Sequence, residues 1–192
     1  MFGIDNDDKT LVLIDGANMY ATTKALGFSV DFQSLYEELK ANCNLLRIYY
    51  YTALAEEDDR IIIKPLVDWL TYNNYTVVTK AAKIIIKDGV KKIKGNMDIE
   101  LAIDAMLLAP KVGNIIIFSG DGDFCPLVRA LQQYGVRVTV ASSAATHPPM
   151  CADDLRKQVD KFVELADIRD SIIKQYQTPD IEAVKEVIEI AT

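Results

Sequence analysis

Short apolar runs, each followed by a stretch of helical periodicity, constrain this chain more than any other feature. Thr10-Leu11-Val12-Leu13-Ile14 and Asn114-Ile115-Ile116-Ile117-Phe118 are almost continuously apolar and of strand length, and each runs into a polar, glycine-bearing turn. A strand apolar on both sides of its pleat is stable only where both faces are covered. Leu45 to Thr52 (LLRIYYYT), Tyr75 to Lys80 and Val136 to Ala141 are three further strands, rich in aromatic and β-branched residues. Between the strands the spacing predicts helices. One follows Asp15 and ends near Gly27; one runs from about Asp31 to Ala41 with Asp31 as its cap. Another spans Glu57 to about Tyr72, where Pro65 implies a kink or a later start, and Asn73-Asn74 stops it. The last two cover Met97 to Leu108 and Phe124 to Tyr134. Five strands alternating with helices predict an α/β fold with a mostly parallel five-stranded sheet covered on both faces.

Two segments depart from that rhythm. Lys87-Asp88-Gly89-Val90 carries a hairpin turn signal between Ile84-Ile85-Ile86 and Lys91-Lys92-Ile93. From Cys151 onward the pattern is helical only, broken at Thr178-Pro179-Asp180. The expected organisation is therefore one domain over residues 1–145 and a helical C-terminal extension over 146–192 that packs on it. The extension is amphipathic, with Phe162, Val163 and Leu165 and later Ile181, Val184, Val187 and Ile188; it covers the sheet or pairs with another subunit, which leaves a homodimer open.

Composition excludes some classes. Hydrophobic residues at 50% and charged residues at 26% describe a globular chain rather than a disordered one. No apolar run is long enough to span a bilayer and the acidic N-terminus lacks a signal-peptide core, so the expectation is a cytoplasmic protein with no membrane partner. Cys43, Cys125 and Cys151 are widely spaced and odd in number, which predicts reduced thiols and no zinc cluster. A net charge of -7 argues at face value against a nucleic-acid partner. That objection weakens if some of the acidity belongs to a metal site and if cations cluster locally.

Both conditions have support in the sequence. Parallel sheets place their chemistry beyond the carboxyl ends of the strands. Two of the predicted strands end in aspartate and glycine, as Ile14-Asp15-Gly16-Ala17-Asn18 and Phe118-Ser119-Gly120-Asp121-Gly122-Asp123-Phe124. If these strands are neighbours, Asp15 and Asp121 emerge on one edge. Asp98 opens the 97–108 helix, where a carboxylate is favoured and stays ionised. Aspartates converging without histidine or cysteine suit Mg²⁺ or Mn²⁺. The plainer reading is that Asp-Gly after a strand is only a turn and Asp123 only a helix cap; three such residues on one predicted edge weigh against it. Asp104 points away around the helix and reads as supporting or structural. Lys80, Lys83, Lys87, Lys91, Lys92 and Lys94 lie within fifteen residues, opposed only by Asp88, and lead into Asp98. This is a basic hairpin able to track a phosphate backbone, or a solvated hairpin whose lysines protect strand edges. Tyr49, Tyr50 and Tyr51 offer a base-stacking face, or simply pack.

Leu-Ile-Asp-Gly-Ala-Asn at 13–18, Lys-Gly-Asn-Met-Asp-Ile-Glu-Leu-Ala-Ile-Asp at 94–104 and Ser-Gly-Asp-Gly-Asp-Phe at 119–124 together resemble the NYN domain. More closely, the chain is similar to the bacterial LabA/DUF88 branch of that family, within the PIN-like nuclease superfamily. The likeness covers about residues 10–142, with a leaner continuation through Leu155 to Leu165. It implies a PIN-like three-layer sandwich and a metal-dependent ribonuclease that hydrolyses RNA phosphodiester bonds. It carries the family's acidic positions onto Asp15, Asp98, Asp121 and Asp123. The first three are the expected ligands of Mg²⁺ or Mn²⁺, and all four the expected catalytic residues. Asn18 and Ser119 are expected to hydrogen-bond phosphate or water, and Lys87, Lys91, Lys92 and Lys94 to bind the substrate, single-stranded RNA. The competing class is a non-catalytic RNA- or nucleotide-binding regulator on the same fold. A phosphatase of the haloacid dehalogenase type is disfavoured, because that chemistry needs a second acid two residues after the first and here Asp15 is followed by Gly16 and Ala17. A protein-interaction module fits the polar glycine loops at two strand ends less well.

Overall fold

The computed structural model describes residues 7–55, 59–87 and 90–173; the side chains of 55–62 and 82–94 lie outside that description. Strand β1 (Lys9–Asp15) leads through helices α1 (Gly16–Ala25) and α2 (Phe32–Asn42) to β2 (Asn44–Ala55). Helix α3 (Asp59–Tyr72) connects to β3 (Tyr75–Lys87), which pairs with β4 (Val90–Lys94). Helix α4 (Asp98–Leu108) precedes β5 (Asn114–Phe118), α5 (Cys125–Gln133) precedes β6 (Arg137–Ser142), and α6 (Asp153–Gln158), β7 (Lys161–Glu164) and α7 (Arg169–Ile172) follow.

The strands form one sheet in the order β4-β3-β2-β1-β5-β6-β7. Six are parallel and β4 runs antiparallel at the edge. Among the described residues the expected five strands are therefore seven. One addition is β4, the far arm of the predicted hairpin, with Lys87 paired to Val90 and Ile86 to Lys91; the turn residues 88 and 89 lie outside the described residues. The other is β7, which corrects the reading of everything after Cys151 as helical. Its four residues, Lys-Phe-Val-Glu, carry a charge at each end and bury only Val163, so no periodicity betrays them. The strand is fixed by its ladder with β6, Thr139 opposite Lys161 and Ser142 opposite Glu164.

Pleating divides the core. Val12 and Ile14 of β1 with Ile116 and Phe118 of β5 face α1, α2, α3 and α7, where Met19, Leu35, Leu39, Leu70 and Ile172 complete one layer. Leu11, Leu13, Ile115 and Ile117 face α4, α5 and α6, where Leu101, Ala105, Val128, Leu131 and Leu155 complete the other. This is why both sides of those strands read as apolar. Helix ends follow local chemistry. The Asp31 carboxylate accepts from the Gln33 N–H at 3.3 Å and the Ser34 hydroxyl at 2.8 Å, capping α2. Gly27 and Gly135, with φ of +77° and +81°, turn the chain after α1 and α5.

Strand order reverses at β1. Its chain successor β2 lies on one side and β5 on the other. The crevice between the carboxyl ends of β1 and β5 is the place such a sheet presents a site.

Candidate functional site

Ile14 is paired with Phe118, so the next residue on each strand, Asp15 and Ser119, leave the sheet side by side. Their side chains meet, with the Ser119 hydroxyl donating to Asp15 Oδ2 at 3.1 Å. The other Asp15 oxygen accepts from the Asn18 N–H at 3.2 Å, so the same carboxylate caps α1. The Asn18 side-chain oxygen accepts from the Gly120 N–H at 2.9 Å, and Ser119 Oγ accepts from the Asp121 N–H at 3.2 Å. The end of β1 and the loop after β5 are thus stitched together by two hydrogen bonds, Ser119 to Asp15 and Gly120 to Asn18, each backed by a local one. Gly120 is required there on steric grounds. A Cβ on it would lie 1.9 Å from the Met150 carbonyl oxygen and 2.5 Å from Ser142 Oγ.

Asp121 turns the chain into a 3-10 turn over Gly122–Phe124, accepting from the Asp123 N–H at 2.9 Å. Asp98 begins α4 on the same edge, and Asn96 Nδ2 donates to its Oδ2 at 2.6 Å. One carboxylate oxygen from each of Asp98, Asp121 and Asp123 lies within 4.8 Å of the others. Asp15 adjoins this trio and feels the charge of Asp121. Burial, then the Asp121 charge, pushes the Asp15 carboxyl up, against the opposing pull of its Asn18 and Ser119 hydrogen bonds. Burial, then the charges of Asp15, Asp121 and Asp123, does the same to Asp98, opposed by Lys80. Asp15 and Asp98 thus resist ionisation beside their acidic neighbours, which is what a cation would relieve. In an octahedral shell at about 2.1 Å, neighbouring ligand oxygens lie about 2.9 Å apart and opposite ones about 4.2 Å apart. The trio needs only small side-chain adjustments to reach that spacing. An all-oxygen donor set fits Mg²⁺ or Mn²⁺.

The expected residues sort into three groups. Asp98, Asp121 and Asp123 form the compact trio, with Asp15 beside it. Ser119 and Asn18 reach the edge as foreseen, but the buried Ser119 hydroxyl is committed to Asp15 and the Asn18 oxygen to Gly120. Ser119 therefore holds the edge together, and Asn18 keeps only its amide nitrogen for a ligand. The side chains of Lys87, Lys91, Lys92 and Lys94 lie outside the described residues. Of the basic segment, Lys80 is described, bridged to Glu100 at 3.0 Å. Asp104 accepts from the Tyr51 hydroxyl at 3.1 Å, and the Tyr51 and Tyr49 rings stack on each other with centroids 6.1 Å apart. These two tyrosines pack. Sequence reasoning assigned no role to Asn96, although it lies inside the quoted 94–104 motif. It grouped Tyr50 with Tyr49 and Tyr51 as a stacking or packing face, without separating it as the tyrosine whose hydroxyl lies 2.6 Å from where a Gly16 Cβ would stand. Its signal was strand alternation, which turns Tyr50 to the α1 side of the sheet.

Comparison with known proteins covers most of the chain. The NYN domain family matches residues 9–166, a span that includes β7. The low amplitude and bright protein LabA of Synechococcus elongatus is 30% identical over 174 residues, spanning 88% of this chain and 89% of its own. The crystal structure of a protein of unknown function from Vibrio parahaemolyticus superposes with a TM-score of 0.69 at 26% identity, covering 89% of this chain and 99% of the other. Among the described residues no helix is long and apolar enough to cross a membrane.

Proposed function

The chain belongs to the NYN domain family, a family of PIN-like nucleases, and from that premise we propose that it is a metal-dependent ribonuclease acting on single-stranded RNA. The observation that carries this reading is the convergence of Asp98, Asp121 and Asp123 within 4.8 Å, beside Asp15, at the point where strand order reverses. Asp98 and Asp121, with Asp15 beside them, would hold the Mg²⁺ or Mn²⁺. When bound, the ion supplies Lewis-acid polarisation of a phosphoryl oxygen and makes water a stronger acid.

The chain's own groups do the rest. Asn18 N–H and Ser119 fix the Asp15 carboxylate from two sides. Asn96 fixes Asp98. Asp123, the most exposed of the trio, orients water for in-line attack. The Asn18 amide nitrogen would donate to a phosphate oxygen. The lysines of the β3–β4 hairpin, Lys87, Lys91, Lys92 and Lys94, follow the RNA backbone and offset the repulsion between an anionic substrate and an acidic protein.

Asp121→Asn tests the reading because it keeps the side chain's shape and removes its charge. Mn²⁺- or Mg²⁺-dependent cleavage of single-stranded RNA should fall by at least two orders of magnitude, and added Mn²⁺ should raise the melting temperature of the wild type more than that of the variant. No cleavage of varied RNAs and no metal-dependent melting shift in the wild type would sink the proposal. A melting shift without cleavage would favour a non-catalytic RNA- or nucleotide-binding regulator.

A further inference from the structure

The acidic edge does not account for one sizeable cavity. A pocket of about 550 Å³ opens on the other side of Asp15, along α1. It is lined by one stripe of that helix, Gly16, Met19, Tyr20, Thr23 and Lys24, whose spacing of three to four residues puts them on a single face. Phe28, Phe32 and Leu66 supply apolar walls. Tyr50 belongs to the lining as well and closes the end beside Asp15.

Three features of the pocket point to a ligand. First, Tyr50 lines the pocket with its hydroxyl end against Gly16, so a polar group stands among the apolar walls. Gly16 is what admits it, since any side chain there would meet the Tyr50 hydroxyl at 2.6 Å. Second, the rim carries an exposed ring and a cation: Tyr20 is 66% exposed and Lys24 Nζ stands 5.7 Å from its centroid. Third, the lining begins at Gly16, the residue after Asp15, so the pocket starts one residue from the acidic edge. From Gly16 to Lys24 is about 12 Å along the helix axis.

We propose that this pocket is a nucleoside subsite, taking the unpaired base and ribose that adjoin the phosphate held at the acidic edge. The inference rests on the ribonuclease reading for that phosphate, but not for the pocket's own chemistry. The ligand must have a flat apolar body for Met19, Phe28 and Phe32. It must offer a hydrogen-bond partner to Tyr50 and carry negative charge near Lys24. A nucleotide of single-stranded RNA meets all three requirements, and the cavity is of the size small-molecule sites have. Unstacked bases are held by aromatic faces and a cation at the rim with little regard for sequence.

The test needs no turnover. The full chain, in chelator, is titrated with each of the four ribonucleoside 5′-monophosphates while the Met19 methyl resonance is followed. At least one should give a saturable shift, and ribose 5-phosphate should bind far more weakly. Tyr50→Phe and Lys24→Glu should each weaken binding by about five-fold. Because Lys24 is on the surface, its variant keeps the test valid should Tyr50→Phe fold poorly. No saturable Met19 shift, equal binding of ribose 5-phosphate, or unchanged affinity in the folded variants would overturn the subsite. RNA cleavage with an unchanged KM in both variants would overturn it while leaving the ribonuclease intact. Nucleotide binding at Met19 in a protein that cleaves no RNA would uphold the subsite and remove the ribonuclease reading.

Discussion

Asp98 shows how position sets the chemistry of a single group. At the start of α4 the helix N-terminus favours its negative charge, yet burial and three neighbouring carboxylates push its pKa up. Without a cation, ionising it works against the fold. Asp98→Asn should therefore raise the melting temperature in chelator by a few degrees at neutral pH, and Mn²⁺ should narrow or reverse the difference; an unchanged or lower melting temperature in chelator would refute that electrostatic account. Gly120 represents the opposite constraint, one of space. Gly120→Ala must displace a backbone oxygen 1.9 Å away, so chemical denaturation should register a loss of about 2 kcal/mol or more. The aspartates of the edge were legible in the sequence because carboxylates at strand ends leave a pattern. The constraint on Gly120 was not, because it comes from Met150, thirty positions on, in a loop with no pattern of its own.

Elements were read well where both faces of a strand are covered and poorly where pairing alone defines them. The expected range of β5 coincides with the observed one, since Asn114–Phe118 is buried throughout. Helix α4 begins one residue later than its expected start and stops where expected. Strand β3 runs seven residues past its expected end because it continues without a break into the near arm of the predicted hairpin, paired with β4. Strand β7 escaped because only its ladder with β6 defines it. The β3–β4 hairpin is also the element whose function is most open to test. It carries Lys87, Lys91 and Lys92 on an edge of the sheet that leads into Asp98. For a single strand, each phosphate that a lysine no longer neutralises lowers the dependence of log affinity on log salt by about 0.7. Replacing all three with alanine should thus flatten the salt dependence of RNA binding by about two, with the melting temperature little changed. An unchanged slope would make the hairpin lysines solvated edge protection.

Across the whole molecule, the sheet is held between two apolar layers, and the layer on the α1 side is unusual in burying phenols. Tyr50 and Tyr75 face α1, α2 and α3, and Tyr51 faces the opposite layer against α4. The Tyr75 hydroxyl donates to the Phe32 carbonyl at 2.7 Å and the Tyr51 hydroxyl to Asp104, so two of the three link a strand to a helix. Burial, with the charge of Asp15 added, pushes the Tyr50 phenol up to about 12. Burial raises Tyr51 and Tyr75 further, helped by Asp104 and by Asp31. A phenol whose folded pKa lies above its unfolded value near 10 keeps its proton in the folded state while the unfolded chain loses one. Its contribution to stability is full below pH 10 and is lost as pH rises from 10 through the folded value. Each group costs about 1.4 kcal/mol per pH unit in that window. Together the three should make the domain unfold cooperatively in alkali between pH 10 and about 12. Tyrosinate absorbance from the buried phenols should then appear with the loss of secondary structure and not before it. Tyr50→Phe should reduce the slope of stability against pH in this range by about a third, without altering the plateau below it. Tyrosinate from these three residues in a chain that is still folded at pH 11 would contradict the burial on which both the core and the nucleoside pocket depend.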